Sequence, residues 1–148
     1  MKNSRSIRVF LLASLLSVFS VSVSANPGYE GMKAKKPDQM VQAPDFSLTT
    51  LDEKAINLAD YKGKVVVLNF WATYCIPCRI EMPSLEKFSQ KHKNSGVEVV
   101  AISLDEDKEK AIRSLVSKMD LTFPIAMEGQ SAGDTYEVSV LPVTYVIG

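Results

Sequence analysis

The sequence has few of the residues that hold metals or cross-link small folds. Its 148 residues include two cysteines, Cys75 and Cys78, and one histidine, His92. A tetrahedral zinc site needs four ligands, and these residues supply at most three of the cysteine and histidine ligands that zinc favours. The sequence therefore argues against a zinc site, and we predict neither a metal nor a cofactor.

The chain also lacks an excess of either charge. Seventeen basic residues balance 17 acidic ones. Residues 1–25 carry three basic and no acidic residues, so their removal would leave 14 basic and 17 acidic residues and a net charge of −3. Without a basic excess, nothing in the composition indicates nucleic-acid binding.

The first residues have the pattern of a secretory signal. Lys2, Arg5 and Arg8 form a basic start, an apolar stretch follows over 9–21, and small residues end at Ala25. We predict cleavage after Ala25 and a periplasmic or otherwise extracytoplasmic protein. The alternative is an uncleaved membrane anchor, although the apolar stretch is shorter than the roughly 20 residues that a spanning helix needs.

The rest of the chain divides into a linker and one domain. Residues 26–42 combine prolines, glycines and lysines without apolar periodicity, which predicts a flexible linker. Residues 43–148 are enough for one hydrophobic core and too few for two domains.

The two cysteines stand close together in Cys75-Ile76-Pro77-Cys78, between an apolar run and a segment that reads as a helix. This order places Cys75 at a helix N-terminus, where free N–H groups and the helix dipole favour a thiolate. Cys78, one turn later, can attack a mixed disulfide formed at Cys75. A purely structural bridge over so small a loop would stabilise little. We predict a redox-active pair with Cys75 as nucleophile and Cys78 as resolving thiol.

Hydrophobic patterns predict alternating strands and helices. A short N-terminal hairpin is expected around a turn at 49–53. The further predicted elements are strands at 65–70, 97–103 and 143–147, helices at 75–91 and 108–119, and a short extended piece at 121–126. Alternation of this kind predicts an α/β sheet with right-handed crossovers.

Several of these segments together resemble the TlpA/ResA-like thiol-disulfide oxidoreductases of the thioredoxin superfamily. The resemblance covers residues 43–148 and is carried by Ala43-Pro44-Asp45-Phe46, Gly63-Lys64, the run from Leu68 to Arg79, Glu81-Met82-Pro83 and Leu141-Pro142-Val143-Thr144. It implies a thioredoxin-like fold with a helix–strand insertion at about 107–126. It also implies disulfide exchange with cysteine-containing client proteins. Members often reduce their clients, for example apocytochrome c before haem attachment, and receive electrons from a membrane thiol donor.

The resemblance adds two site residues. Glu81 matches a glutamate that is buried beside the active site and tunes the thiols, whereas its residue type alone would suggest a solvated helix surface. Pro142 matches a cis-proline that faces the dithiol and leaves the backbone of Leu141 free for a substrate strand, whereas its position alone would suggest a strand start. Asn69 stands where thioredoxin has a buried aspartate, so this chain lacks that proton acceptor, and Glu81 is the expected substitute.

Two other differences from the family bear on function. Tyr74 replaces the more usual tryptophan before the first cysteine, and Ile76 brings no charge between the cysteines. A peroxiredoxin also often begins with an Ala-Pro-Asp-Phe-like stretch, but its peroxidatic cysteine stands alone after a threonine in a proline-rich loop, a pattern absent here.

The family pattern continues beyond Gly148 with one more strand and a C-terminal helix. We therefore expect a thioredoxin-like domain that is incomplete at its C-terminus. A non-catalytic thioredoxin-fold binding module, or an inactive fragment, is the alternative to an enzyme, and a disulfide-reduction assay separates these readings.

Overall fold

The computed structural model describes residues 41–127 and 129–148. The predicted signal lies outside this part, as does the predicted linker up to residue 40. The last two linker residues, Val41 and Gln42, are exposed and have no regular secondary structure. None of the helices described in these two ranges is long and apolar enough to cross a membrane.

Short strands and helices alternate along the described chain, as the hydrophobic patterns predicted. The elements are β1 (Ser47–Thr49), β2 (Ala55–Asn57), a 3₁₀ helix (Leu58–Tyr61), β3 (Val65–Trp71), α1 (Ile76–His92), β4 (Val97–Ser103), α2 (Glu109–Lys118), β5 (Ile125–Ala126), α3 (Gln130–Thr135) and β6 (Val143–Ile147). Strands β1 and β2 form the predicted antiparallel hairpin. The other four form one sheet in the order β5-β4-β3-β6.

Strand β3 lies inside this sheet, between β4 and β6. It pairs in parallel with β4, from Val65 opposite Val97 to Trp71 opposite Ser103. It pairs antiparallel with β6, where Asn69 faces Thr144. Parallel strands bring their carboxyl ends to the same sheet edge, so the chain leaves β3 and β4 at neighbouring points.

The sheet is covered on both faces, which explains the continuous apolar run of β3. Val67 and Trp71 pack in one cluster with Met82 of α1 and Ile112 of α2. Val66, Leu68 and Phe70 of β3 belong to the cluster on the other face, which also contains Phe46 just before the hairpin, Ile56 of the hairpin and Ala132 of α3. Helices α1 and α2 therefore cover one face, and the hairpin and α3 cover the other.

An aromatic cluster anchors the segment between α3 and β6. The ring centroids of Phe70 and Tyr136 lie 5.4 Å apart, and those of Tyr136 and Tyr145 lie 5.3 Å apart. The Tyr136 hydroxyl donates to the Pro44 carbonyl at 2.6 Å, and the Tyr145 hydroxyl donates to the Tyr136 carbonyl at 2.7 Å. These contacts hold both ends of the chain segment that contains Leu141.

Helix α3 is the element that the sequence patterns missed. Its residues include Ser, Gly, Asp and Thr, which are weak helix formers, and six residues are too few for a clear helical period. Tertiary packing stabilises it instead, since Ala132 is buried against the sheet. A Cβ added to Gly129 would overlap the Ile102 side chain and lie 2.8 Å from the Ser103 carbonyl oxygen, so glycine permits the close approach.

We expect Leu68→Ala to destabilise the oxidised protein by about 2 to 5 kcal/mol, because a fully buried leucine of the central strand would leave a cavity. Denaturant-induced unfolding followed by circular dichroism measures the change. Val146→Ala is the matched control, since Val146 is 73% exposed and its truncation should change the free energy of unfolding by no more than about 0.5 kcal/mol. Equal losses in the two variants would contradict the assignment of the core.

Candidate functional site

Cys75 and Cys78 form a disulfide at the start of α1. Cys75 is the residue that caps this helix, and its Sγ accepts a hydrogen bond from the backbone N–H of Cys78 at 3.3 Å. Pro77 lies in the first turn, where a missing N–H costs no helical hydrogen bond. The predicted placement of Cys75 at a helix N-terminus is therefore confirmed.

The two sulfur-bearing residues differ in accessibility. Cys75 is 8% exposed, whereas Cys78 is 0% exposed and packs with Met82 on the core side of α1. Cys75 is therefore the more accessible of the two residues. Any negative charge at its sulfur would lie beside the N–H groups of the first helical turn, which stabilise an anion.

Cys75 opens onto a groove of about 600 Å³. One wall comes from the start of α1 and the other from the segment that leads into β6; the lining residues are Tyr74, Cys75, Ile76, Pro77, Leu104, Gln130, Val138, Ser139, Val140 and Leu141. None of these residues is an acid, a lysine, an arginine or a histidine. Tyr74, Ile76 and Val140 are each 67% exposed, so the groove offers apolar surface to a partner.

The predicted proline, Pro142, follows Leu141, which lines this groove. The Leu141–Pro142 peptide bond is cis, as the resemblance implied. Within the described residues, the backbone of Ser139 to Leu141 takes part in no backbone–backbone hydrogen bond outside the regular elements. Leu141 lines the same groove as Cys75, so its backbone is free to pair with an extended chain lying there.

Glu81 is half-buried on α1, three residues after Cys78. Its Oε1 accepts a hydrogen bond from Asn69 Nδ2 at 2.7 Å, and the same amide nitrogen donates to Thr144 Oγ1 at 3.0 Å. Burial raises the pKa of the Glu81 carboxyl, and the hydrogen bond from Asn69 opposes that rise. Glu81 is therefore not the solvated surface residue that its residue type alone would suggest.

Asn69 is fully buried beneath α1, and its Oδ1 has no hydrogen-bond partner within the described part of the chain. An asparagine cannot ionise, so the only carboxyl group in this hydrogen-bonded set is that of Glu81. The contact between Asn69 and Glu81 joins β3 to α1. The sequence suggested Glu81 as the substitute for the missing aspartate but did not predict this contact.

Asp105 is a buried acid that the sequence analysis did not single out. It lies two residues after the end of β4 and accepts hydrogen bonds from Thr73, two residues before Cys75. The signal that could have found it is topological, because side chains after β3 and β4 meet at one sheet edge. No group of three or more acidic, histidine or cysteine residues in the described ranges is arranged to hold a metal ion.

Comparisons with known proteins point to the same chemistry as the cysteine pair. Residues 40–148 match the family model described as the AhpC/TSA family. Thiol-disulfide oxidoreductase ResA of Bacillus anthracis is 38% identical over 149 aligned positions, which cover 99% of this chain and 83% of that protein. Thioredoxin-like protein YneN of Bacillus subtilis (strain 168) is 46% identical over 108 residues, which cover 72% of this chain and 63% of that protein.

The fold has solved counterparts as well. The crystal structure of a thiol:disulfide interchange protein of the thioredoxin family from Chlorobium tepidum TLS superposes with a TM-score of 0.68 at 25% identity, covering 76% of this chain and 81% of that one. The thioredoxin-like fold expected from the sequence is thus confirmed, and the paired cysteines agree with the activity that the ResA relatives carry in their name. The chain belongs to the AhpC/TSA family and is a thioredoxin-like thiol-disulfide oxidoreductase.

Proposed function

We propose that this oxidoreductase works outside the cytoplasm and reduces disulfides in client proteins, with apocytochrome c as the example that the family suggests. The observation that carries the proposal is the Cys75–Cys78 disulfide at a helix N-terminus, facing an uncharged groove. The predicted signal at residues 1–25 supports the location. Those residues lie outside the described part of the chain.

The reduced protein would begin the reaction. The Cys75 thiolate attacks one sulfur of a client disulfide, forming a mixed disulfide and releasing the other client sulfur as a thiolate. Cys78 then loses its proton and attacks Cys75 Sγ, which breaks the mixed disulfide. The client leaves as a dithiol after gaining two electrons, and the enzyme is left with the Cys75–Cys78 bond.

A membrane thiol donor would complete the cycle by the reverse exchange. The donor's dithiol reduces the Cys75–Cys78 disulfide and becomes a disulfide itself, so two electrons pass to the protein. The donor's thiolate would have to attack Cys75, because Cys78 is fully buried. The same groove therefore serves the client and the donor in turn.

Leu141 would position the client. Leu141 lines the same groove as Cys75 and its backbone has no backbone partner in the described regions, so an extended client segment could pair beside it as a short strand. Main-chain hydrogen bonds of this kind do not depend on the client's side chains. The exposed Tyr74, Ile76 and Val140 would then select clients with apolar residues around the disulfide.

Glu81 would tune the thiols. It follows Cys78 by three residues on the same helix, a spacing that puts the two side chains on one face. A carboxylate close to a forming thiolate disfavours it, and burial raises the pKa of the carboxyl itself. The two groups would therefore titrate together, and Cys75 would be less acidic than the helix end alone would make it.

We expect Cys75 to react first with an alkylating agent in the reduced protein, because it is the more exposed cysteine at the helix end. Brief labelling at pH 7 followed by peptide mass spectrometry measures the order. Cys78→Ser should accumulate mixed disulfides with clients, since the resolving step is lost, whereas Cys75→Ser should trap none. Preferential labelling of Cys78 would reverse the assignment.

The reduction potential should lie near the value of about −270 mV found for thioredoxin, since Ile76 and Pro77 bring no positive charge to stabilise the thiolate. Equilibration with dithiothreitol redox buffers measures it. Ile76→Lys is the informative variant, because a cation beside Cys75 should raise the potential while the exposed position tolerates the change. A wild-type potential above about −160 mV would make the protein an oxidant and exclude the reductive role.

Glu81→Gln should lower the apparent pKa of the Cys75 thiol, because it removes a nearby negative charge. The pH dependence of the alkylation rate of the reduced protein measures this pKa. An unchanged profile would show that Glu81 does not act on the dithiol.

The oxidised protein provides the control for this variant. Because the folded-state pKa of Glu81 is raised above 4.5, the native state binds the proton more tightly than the unfolded state, and stability falls as pH rises through that pKa. Glu81→Gln should therefore increase the melting temperature at pH 7, and the gain should fade below about pH 4.5. A gain that is the same at both pH values would not come from the carboxyl charge.

A further inference from the structure

Asp105 is a buried carboxylate that the proposed exchange does not use. Its side chain is 0% exposed. One oxygen accepts from the backbone N–H of Thr73 at 2.6 Å and from Ser103 Oγ at 2.9 Å, and the other accepts from Thr73 Oγ1 at 2.8 Å. A buried charge lowers stability unless it is fully paired, so this complete set of partners indicates that the carboxylate holds something in place.

Asp105 contacts the segment of the chain that leads to Cys75. Thr73 lies two residues before Cys75, in the loop between β3 and α1. Two backbone hydrogen bonds flank it, from Cys75 N–H to the Ala72 carbonyl at 3.1 Å and from Leu104 N–H to the Trp71 carbonyl at 2.9 Å. Asp105 adds two contacts to Thr73, and these connect the loop to the end of β4.

Lys108 extends this arrangement to the groove. Its Nζ lies 3.6 Å from Asp105 Oδ1 and 5.2 Å from the centroid of the Tyr74 ring. Lys108 is also the capping residue of α2, which fixes its backbone, and Asp107 before it adopts a φ of +50° that turns the chain. The ammonium thus bridges a buried carboxylate and an aromatic ring that is 67% exposed and lines the groove.

We propose that Asp105 and Lys108 are positioning residues for disulfide exchange, with Asp105 holding the Thr73 backbone ahead of Cys75 and Lys108 holding the Tyr74 ring against the client. The proposal rests on the assignment of Cys75 as the nucleophile. Asp105 then affects every exchange at Cys75. Lys108 affects those in which a protein client contacts Tyr74.

The Lys108 part is tested with two substrates, insulin as a protein disulfide and oxidised glutathione as a small one. Lys108→Met should raise KM for insulin about two- to fivefold, the range of an exposed cation–π contact, with a smaller change in kcat. The preference for insulin over glutathione should fall by the same factor, and Lys108→Arg should restore it. Lys110→Met, with the same charge change on the same helix, is the matched control and should leave both constants unchanged.

The Asp105 part is tested through the alkylation rate of Cys75 in the reduced, folded protein. Asp105→Asn and Thr73→Val should each slow alkylation and lower kcat/KM for both substrates severalfold, while Thr73→Ser retains the wild-type rate because its hydroxyl still donates. Thr73→Val leaves Asp105 unchanged, so it tests the positioning role even if Asp105→Asn does not fold. Circular dichroism confirms that each assayed variant is folded.

The outcomes distinguish a failure of the positioning role from a failure of the proposed disulfide exchange. If the wild type is active but Lys108→Met behaves like Lys110→Met, or Thr73→Val behaves like the wild type, the positioning role is overturned and the proposed exchange remains intact. A wild type that reduces neither substrate overturns both.

Discussion

The burial of β3 on both faces is the constraint that places the reactive sulfur. Its neighbours β4 and β6 hold it on both sides, and the clusters above and below leave no freedom in its register. The chain therefore leaves the sheet at Trp71, and four residues later Cys75 caps α1. A shift of one residue along β3 would turn every side chain to the opposite face and move the start of α1 with it.

The same constraint explains why a polar group can lie under the helix. Asn69 points to the face that α1 covers, and its amide reaches Glu81 and Thr144 from the middle of the sheet. An asparagine at this position bonds a carboxyl group without adding a second charge to a buried site. Among the described residues, Glu81 is therefore the one ionisable member of this hydrogen-bonded set, and burial raises its pKa against the opposing hydrogen bond from Asn69.

Much of the fold could be predicted because the long strands carry strong periodic signals. Strands β4 and β6 have the predicted bounds, β3 extends one residue further, to Trp71, and α2 is one residue shorter at each end than predicted. Helix α3 could not be predicted, since its residues disfavour helices and its stability comes from packing on the sheet. Of the predicted piece at 121–126, only Ile125 and Ala126 form a strand, and Pro124, which has no N–H, precedes them.

The residues of the candidate site could likewise be predicted only in part. The cysteine pair could be recognised from its spacing and context, and Glu81 and Pro142 came from the family resemblance. Asp105 carries no local signal, because an aspartate after a strand is ordinary in a loop and its contact with Thr73 spans 32 residues. Such contacts follow from which strands are neighbours, and a single sequence does not state the strand order.

The absence of aspartate, glutamate, lysine, arginine and histidine from the residues that line the groove affects how partners arrive. Long-range attraction requires a net charge, but no aspartate, glutamate, lysine, arginine or histidine lines the groove, and Lys108 beside Tyr74 is paired with Asp105. Encounters should therefore proceed at the roughly 10⁵–10⁶ M⁻¹ s⁻¹ typical of unsteered association. Ionic strength would then have little influence on capture. A protein that meets its partners in an environment of variable salinity would keep a nearly constant rate of encounter.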